Sequence, residues 1–229
     1  SEYVLSPIRN LVKIPKNLND DLAVFTEPAS VALHAYNVAK KDRQFDTVII
    51  LGLGPIGILL ASWCKLNKIK NVIGVDRNQN RFKNFKDLGF KNIIDTNKDD
   101  FSSKLNDYTS NKGVEIAFEC SGSVELLNKG ILSLSKRGKI IVLSNQTKDI
   151  TLDQKILNKF LRQEIRIVGS WSSVIEPHNE WLETLDALNS GKLSIKGLIS
   201  HKYKFSDAKN IFPDLFEKKF KYSKVLLQP

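Results

Sequence analysis

Three glycines stand at a spacing that can hold a phosphate group. The motif GLGPIG, residues 52–57, follows a β-branched apolar run and precedes a stretch with helical spacing of apolar residues. In that setting the first glycine permits a tight turn, the second lets a phosphate approach the backbone, and the third lets a helix pack on a strand. The helix N-terminus adds unpaired N–H groups and the positive end of its dipole. The residues predicted to bind a dinucleotide pyrophosphate are Gly52, Gly54, Pro55, Ile56 and Gly57.

An acidic residue follows the next apolar run. Asp76 lies 19 residues after Gly57, where the acid of a dinucleotide-binding domain is expected. Its carboxylate can accept hydrogen bonds from the adenosine ribose and would repel a 2′-phosphate, which favours NAD over NADP. Arg77 follows directly and can stack on adenine or lie over a phosphate, so NADP stays open as the alternative. A doubly wound domain without a nucleotide is a further alternative.

Two more polar segments follow predicted strands. They are residues 119–122 (ECSG) and residues 143–144 (LS). In an open parallel sheet, ligands bind beyond the carboxyl ends of the strands. We expect the cofactor cleft to be lined also by Cys120, Ser121, Leu143 and Ser144. Each of these residues could equally belong to an ordinary tight turn.

Predicted strands and helices alternate along the part of the chain that must position these residues. Continuous apolar runs, which suit a sheet covered on both faces, are separated by segments with helical periodicity. The predicted strands are residues 46–51, 71–75, 91–95, 113–119, 138–143 and 164–168. The predicted helices between them are residues 55–67, 78–88, 99–108, 123–134 and 152–161. The fold class is therefore α/β, a doubly wound parallel six-stranded Rossmann sheet with strand order 3-2-1-4-5-6.

The two flanks depart from this alternation. Residues 1–25 are predicted to be extended, with a strand at residues 2–5, and two prolines, Pro7 and Pro15. After residue 172 the sequence predicts a helix at 179–188, a strand at 195–200, a helix from 206 and a strand at 224–227. We therefore divide the chain into residues 1–35, a dinucleotide-binding domain at 36–171, and a C-terminal segment at 172–229.

Composition narrows the functional classes. The net charge of the 229 residues is +10, but the lysines are scattered rather than interleaved with aromatics, so a solvated surface is favoured over a nucleic-acid interface. No apolar run is long enough to cross a membrane. Cys64 and Cys120 are too few for a disulfide framework, which favours the cytoplasm. Among the histidines, His34 is expected to be packed and His178 solvated, and neither these two nor His201 is expected to bind a metal.

Several segments together resemble the medium-chain dehydrogenase/reductase superfamily, of the zinc-dependent alcohol dehydrogenase type. The similarity covers essentially the whole chain and is greatest to galactitol-1-phosphate 5-dehydrogenase and sorbitol dehydrogenase. The segments that carry it are residues 25–35 (FTEPASVALHA), 119–122 (ECSG), 169–171 (GSW), 180–181 (EW), 191–193 (GKL), 199–201 (ISH) and 224–227 (KVLL).

This resemblance implies zinc- and NAD-dependent oxidation of a secondary alcohol of a polyol or polyol phosphate to a ketone. It implies that both termini are remnants of a GroES-like catalytic domain, and that Glu27 matches one zinc ligand. Glu27 can also be read as an acid in the first turn of a helix. Because the other family ligands have no counterpart here, we assign no catalytic residue and expect an N-terminally truncated form, inactive alone.

Three further expectations follow from the resemblance and the exposed flanks. A homodimer is expected through the open sheet edge at residues 164–169. Apolar surface is expected on residues 1–35 and 180–229. The alternative to a dehydrogenase fragment is a non-catalytic NAD(H)-binding and dimerisation module.

Overall fold

The central sheet has six parallel strands in the order β3-β2-β1-β4-β5-β6. The computed structural model describes residues 3–146, 148–217 and 219–229. The strands are β1 Thr47–Leu51, β2 Asn71–Asp76, β3 Ile93–Asp95, β4 Val114–Glu119, β5 Leu134–Val142 and β6 Arg166–Gly169. The predicted Rossmann topology is confirmed.

Nine α-helices occur in the described ranges, and most begin at a side chain that caps them. They are α1 Asp20–Ala23, α2 Thr26–Lys40, α3 Pro55–Leu66, α4 Gln79–Asp87, α5 Phe101–Thr109, α6 Val124–Ser133, α7 Gln154–Arg162, α8 Glu180–Asn189 and α9 Ala208–Phe216. Side-chain oxygens accept hydrogen bonds from first-turn amides at Asn19, Asn78, Asp100, Ser123, Asp153 and Asn179. Such caps satisfy amides that have no partner within the helix, which explains why the helices start where they do.

Alternate residues of the buried strands face opposite sides of the sheet. In β1, Val48 and Ile50 belong to one core cluster, while Ile49 and Leu51 belong to the other. The first cluster lies under α2, α3 and α8, and the second lies under α5, α6 and α7. Because both faces are covered, these strands are apolar throughout instead of alternating with polar residues.

The N-terminal strand prediction is wrong for the residues that can be assessed. Glu2 lies outside the described residues, and residues 3–7 form no strand. The side chains of Tyr3, Val4 and Leu5 are almost fully exposed. A strand needs a neighbouring strand to pair its backbone groups, and apolar character alone does not supply one.

The C-terminal strands form a separate two-stranded parallel sheet from β7 Ile199–Lys204 and β8 Lys224–Gln228. The predicted strand at 195–200 is therefore misplaced. Ile195 and Leu198 are buried, and the Leu198 amide donates to the Ile195 carbonyl at 3.0 Å, which closes a turn. These apolar residues contribute to the first core cluster instead of to a strand.

Apolar side chains are exposed near both ends of the chain, as predicted. At the N-terminal end they include Tyr3, Leu5 and Ile8, and at the C-terminal end Phe212 and Phe216. None of the helices in the described ranges combines the length and the apolar character that a membrane crossing needs.

The predicted boundary between residues 35 and 36 falls inside helix α2, which packs along α3. Trp63 of α3 donates its indole N–H to the carbonyl of Ala29 at 2.9 Å. Leu185 and Leu188 of α8 belong to the same core cluster as these two helices. Helices α2 and α8 thus share a hydrophobic core with the central sheet.

A buried carboxylate connects α2 to α8. Glu180 is 2% exposed, and its Oε1 lies 3.1 Å from Nδ1 of His34 and accepts a hydrogen bond from Asn37 at 2.9 Å. Its Oε2 accepts a hydrogen bond from the Val174 amide at 2.8 Å. The prediction that His34 is packed and hydrogen-bonded is confirmed. His178 is exposed, as predicted, and lies 2.6 Å from Glu183.

We expect Glu180→Ala to lower the free energy of unfolding by about 3 kcal/mol, because three partners lose a buried acceptor. Glu183→Ala, on the same helix but half-buried and paired with the exposed His178, is the matched control and should change it by less than about 0.5 kcal/mol. Urea denaturation followed by circular dichroism measures both. Equal midpoints for the two variants would contradict the role assigned to Glu180.

Candidate functional site

A cavity of about 780 Å³ opens at the carboxyl ends of β1, β2 and β4. This is the edge of an open parallel sheet at which ligands bind. The residues predicted from sequence that line it are Gly52, Gly54, Pro55, Asp76, Arg77, Cys120 and Ser121. The lining residues that the sequence did not single out are Arg81, Thr96, Gly122, Ser123, Val124, Glu125, Leu126 and Lys148.

The glycine loop has the geometry its residues require. Gly52 has a φ of +99°, which side-chain-bearing residues rarely adopt, and its amide donates to the Val75 carbonyl at 2.8 Å. A Cβ on Gly57 would lie 2.0 Å from the Gly52 carbonyl oxygen. A Cβ on Gly54 would meet only Arg81, at 3.9 Å. Gly57 is therefore required by packing, whereas Gly54 keeps the cavity open.

Helix α3 points its N-terminus at this cavity. Its first i→i−4 hydrogen bond runs from the Ile58 amide to the Gly54 carbonyl at 3.0 Å. The amides of Ile56 and Gly57 precede that bond, so they have no acceptor within the helix. Although these two residues do not themselves line the cavity, their amides lie in the turn that would face a bound anion.

Asp76, at the end of β2, has a fully engaged carboxylate and is 4% exposed. Its Oδ1 accepts hydrogen bonds from the amides of Arg77 and Asn78, each at 2.8 Å. Its Oδ2 accepts from the Leu53 amide at 2.8 Å and from Nη1 of Arg81 at 3.1 Å. Asp76 thus connects the glycine loop to the start of helix α4.

Glu119, at the end of β4, is fully buried and organises the opposite wall. Its carboxylate accepts hydrogen bonds from the Ser121 amide at 2.8 Å, the Gly122 amide at 3.1 Å and the Gln146 side chain at 2.9 Å. The hydroxyls of Ser121 and Ser144 also donate to it. One carboxylate therefore fixes the loops after β4 and β5 relative to each other.

Leu143 and Ser144, which were predicted to line the cleft, lie behind its wall. The Ser144 hydroxyl accepts a hydrogen bond from the Gly122 amide at 2.9 Å and donates to Glu119. Neither Leu143 nor Ser144 is among the residues that line the cavity. Their contribution is to hold the loop at residues 120–123.

Cys120 lines the cavity, but its thiol is not activated. Burial raises its pKa well above the usual value for cysteine, and the neighbouring Glu119 carboxylate raises it further. At neutral pH the sulfur therefore stays protonated, and a thiol is a much weaker nucleophile than a thiolate. Cys120 contributes shape to the site and is not suited to nucleophilic chemistry.

Glu27 lies in the first turn of helix α2 and is exposed. Within the described ranges, no three His, Cys, Asp or Glu side chains are grouped so that they could hold a metal ion. A catalytic zinc takes three protein ligands and keeps one open position. Within the described ranges, Glu27 therefore has no neighbouring side chains with which it could complete a zinc site.

The functional residues that sequence reasoning missed are Glu119 as an organising group, Arg81 and Lys148. The sequence could have indicated Arg81, since this residue lies in the first turn of the helix that follows Asp76 and can point back to that acid. The sequence indicates Glu119 only as part of the segment ECSG, residues 119–122. Its role depends on partners in two loops, which no local spacing indicates.

Comparison with known proteins gives independent evidence of the family. A model of the zinc-binding dehydrogenases matches residues 55–190. Sorbitol dehydrogenase of Halalkalibacterium halodurans is 31% identical over 209 residues, which are 90% of this chain and 59% of that protein. D-arabitol-phosphate dehydrogenase of Enterococcus avium is 27% identical over 221 residues, 95% of this chain and 60% of that protein. The chain thus spans about 60% of the length of these curated relatives.

Solved structures share the fold. Galactitol-1-phosphate dehydrogenase from Escherichia coli superposes on 100% of this chain and 66% of its own, with a TM-score of 0.91 and 23% identity. An alcohol dehydrogenase from Escherichia coli CFT073 in complex with NADH gives a TM-score of 0.84 at 22% identity, over 98% of this chain and 64% of that chain. A zinc-binding dehydrogenase from Sinorhizobium meliloti 1021 bound to NADP gives 0.83 at 21%, over 100% and 65%.

Proposed function

This chain belongs to the zinc-binding dehydrogenase family, and we propose that it is the dinucleotide-binding part of an NAD-dependent polyol dehydrogenase. The observation that carries the proposal is the convergence of three separate predictions on one cavity. The glycine loop at 52–57, Asp76 and the segment at 120–121 all meet there. A cavity of about 780 Å³ is within the size range of small-molecule and cofactor sites.

Each part of the cavity has a role in holding the dinucleotide. The amides at the N-terminus of α3 would bind the pyrophosphate, and Gly54 leaves room for it. Asp76 and Arg77 would bind the adenosine ribose. Cys120 and Ser121 would border the nicotinamide half of the cofactor, with Leu143 and Ser144 supporting them from behind. When bound, the nicotinamide supplies the hydride acceptor.

The proposed reaction is oxidation of a secondary alcohol of a polyol or polyol phosphate to a ketone. The relatives named sorbitol dehydrogenase and D-arabitol-phosphate dehydrogenase support this substrate class. We retain Glu27 as a proposed zinc ligand on the strength of family resemblance alone. A single carboxylate does not make a zinc site.

The second candidate function is a non-catalytic NAD(H)-binding module. It is favoured by the lack of a metal-binding group in the described ranges. The two candidates differ in one measurement. NADH formation at 340 nm from sorbitol or galactitol 1-phosphate, with NAD and zinc present, would support the dehydrogenase. Cofactor binding without any turnover would favour the module for this chain.

We expect Asp76→Ala to weaken NADH binding at least about tenfold, because the variant loses the charged acceptor that is proposed for the ribose and that also holds the Leu53 amide of the glycine loop. Isothermal titration calorimetry of the full chain measures the effect. Asp46→Ala is the matched control, since Asp46 is an exposed acid that pairs with Lys70 just before β1. Undiminished binding in Asp76→Ala would remove the ribose role, and no NADH binding by the unaltered chain would overturn the proposed function.

We further propose a homodimer formed through the sheet edge at residues 164–169. Ile167 of β6 is 44% exposed, and β6 has β5 on one side only. Light scattering should therefore give twice the chain mass of 25.9 kDa. Ile167→Lys should shift the population to monomer, because a charge at an edge strand disfavours pairing. Leu182→Lys, at a similarly exposed apolar site on α8, should leave the dimer intact.

The division into residues 1–35, 36–171 and 172–229 stays a proposal about the whole protein, with both flanks contributing to a second domain. The cytoplasm stays the proposed compartment. Both cysteines are free thiols, as expected in a reducing environment. A polyol or polyol phosphate is the proposed partner, with neither nucleic acid nor membrane involved.

A further inference from the structure

The segment that follows β6 carries an exposed tryptophan. The side chain of Trp171 is 78% exposed, whereas Trp63 is buried and Trp181 is half-buried. A tryptophan that stays in water leaves a large apolar surface unburied, and this residue type is enriched where one molecule contacts another. Trp171 is therefore a candidate contact for a ligand or a partner.

Hydrogen bonds fix both ends of this segment. The Ser170 amide donates to the carbonyl of Val142, the last residue of β5, at 2.9 Å. Val174 exchanges two hydrogen bonds with Glu180: its amide donates to Oε2 at 2.8 Å, and its carbonyl accepts from the Glu180 amide at 3.0 Å. Only residues 171–173 lie between these anchors, so the fold holds the tryptophan in a short bridge.

Glu180 is itself held firmly. It is 2% exposed, and its Oε1 contacts His34 at 3.1 Å and accepts a hydrogen bond from Asn37 at 2.9 Å, both on α2. On the next residue of α8, the indole N–H of Trp181 donates to the hydroxyl of Ser173 at 2.7 Å. Helices α2 and α8 together thus support the bridge at residues 171–173.

The dinucleotide proposed for the cavity would extend towards this bridge. Along the sheet, β2, which ends at Asp76, is followed by β1 with its glycine loop, and then by β4, β5 and β6. With the adenosine at β2 and the pyrophosphate at β1, the second ribose and the nicotinamide must lie along the ends of β4, β5 and β6. Neighbouring strands are about 4.8 Å apart, so β6 ends roughly 14 Å from β1. Trp171 does not line the cavity and would meet the far end of the ligand.

The residue before Trp171 has an unsatisfied polar group. Ser170 is 6% exposed, and its hydroxyl has no hydrogen-bond partner in the part of the chain that the structure describes. Buried polar groups are nearly always paired, so such an exception calls for an explanation. Nicotinamide is a flat ring with a carboxamide, which has two N–H donors and an acceptor oxygen. An indole beside a serine hydroxyl matches both parts of that group.

We propose that Trp171 packs against the nicotinamide ring of the bound dinucleotide and that Glu180 is the residue that positions it. This role rests on the proposed dinucleotide function and adds a contact for the half of the ligand that lies outside the cavity. The oxidised ring is a cation, which the face of an indole attracts, and the reduced ring gains the aromatic packing. Glu180 does not touch the ligand and acts through Val174.

Calorimetric titration of the full chain with NADH and with ADP-ribose tests the ring contact, because ADP-ribose lacks only the nicotinamide. We expect Trp171→Ala to weaken NADH binding about tenfold, since the aromatic contact is lost, and to change ADP-ribose binding by less than about twofold. Trp171→Phe keeps an aromatic ring and should restore most of the NADH affinity. Phe216→Ala, at an exposed aromatic residue of α9, is the matched control and should bind both ligands like the parent.

Glu180→Gln tests the positioning role. It keeps the size of the side chain but replaces one acceptor oxygen with an NH2 group that faces other donors. We expect NADH binding to weaken about threefold and ADP-ribose binding to stay unchanged, because only the bridge shifts. Glu183→Gln, at a half-buried acid of the same helix, should leave both affinities unchanged. No loss, or equal losses for the two ligands, in Glu180→Gln would overturn the positioning role.

Tryptophan fluorescence gives an independent measurement. Because Trp171 is the exposed one of the three tryptophans, quenching by acrylamide reports mainly on this residue. Saturating NAD should reduce the quenching, and saturating ADP-ribose should not. Equal quenching with and without NAD would contradict the contact.

The remaining outcomes separate the ring contact from the function beneath it. Unchanged NADH affinity in Trp171→Ala, or an equal loss of both ligands, would overturn the contact and leave the dinucleotide function standing. Conversion of a dimer to monomer in Trp171→Ala, with NADH binding intact, would assign the residue to the contact between copies and overturn it as well. Failure of the parent to bind either ligand would overturn both.

Discussion

Replacing Gly57 with alanine is expected to abolish detectable NADH binding and to lower the free energy of unfolding by about 3 kcal/mol. The added Cβ would lie 2.0 Å from the carbonyl oxygen of Gly52, far inside van der Waals contact. Both atoms belong to structure that cannot rotate away, so helix α3 must move off strand β1. That movement displaces the helix N-terminus, whose amides are proposed to bind the pyrophosphate.

Urea denaturation and calorimetric titration with NADH measure the two effects of Gly57→Ala separately. Gly169→Ala is the matched control, because a Cβ at Gly169 would have no heavy atom within 4 Å and its φ is not positive. That variant should bind NADH normally and unfold within about 0.5 kcal/mol of the parent. Unchanged NADH affinity in Gly57→Ala would show that the close helix–strand contact is not needed for the site.

The second large effect is expected at Glu119. Glu119→Ala removes the acceptor shared by the Ser121 and Gly122 amides and by the side chains of Ser144 and Gln146. Leaving such donors buried without a partner costs about 3 kcal/mol in the free energy of unfolding. Because the loops after β4 and β5 would no longer be fixed, NADH binding should also weaken about tenfold or more.

One further variant separates the charge of Glu119 from its shape, and a second, at Glu125, is the control. Glu119→Gln keeps the size of the side chain and one acceptor oxygen but replaces the other oxygen with an NH2 donor that faces other donors, so it should fall between the parent and Glu119→Ala. Glu125→Ala removes an exposed acid from the same cavity and should change stability by less than about 0.5 kcal/mol. A Glu119→Ala variant with parental stability and NADH affinity would contradict the organising role.

The sequence by itself determined the central domain. Strand order followed from apolar runs alternating with amphipathic helices, because parallel strands joined by helices have few allowed arrangements. The glycine loop and Asp76 were identified because their chemistry is local. A positive φ at Gly52 and a close approach at Gly57 are requirements on single residues. Glycine at these positions therefore indicates both requirements directly.

Local patterns were less informative at the chain's two flanks. The strand predicted at 195–200 starts instead at Ile199, since Ile195 and Leu198 pack into the core. The apolar residues 3–5 form no strand. In both places the deciding factor was what lies next to the segment in space, and apolar character is the same whether a residue pairs in a sheet or packs beside one.

Only the tertiary structure decided which polar groups meet. His34 and Glu180 are 146 positions apart in the sequence, and Glu119 reaches Gln146 across 27. Arg81 was found to occupy the acceptor that the ribose was expected to use. A buried carboxylate is stable only where the fold brings enough donors to it, and those donors come from separate elements. Residue type made each contact possible, and packing of distant segments selected the contacts that form.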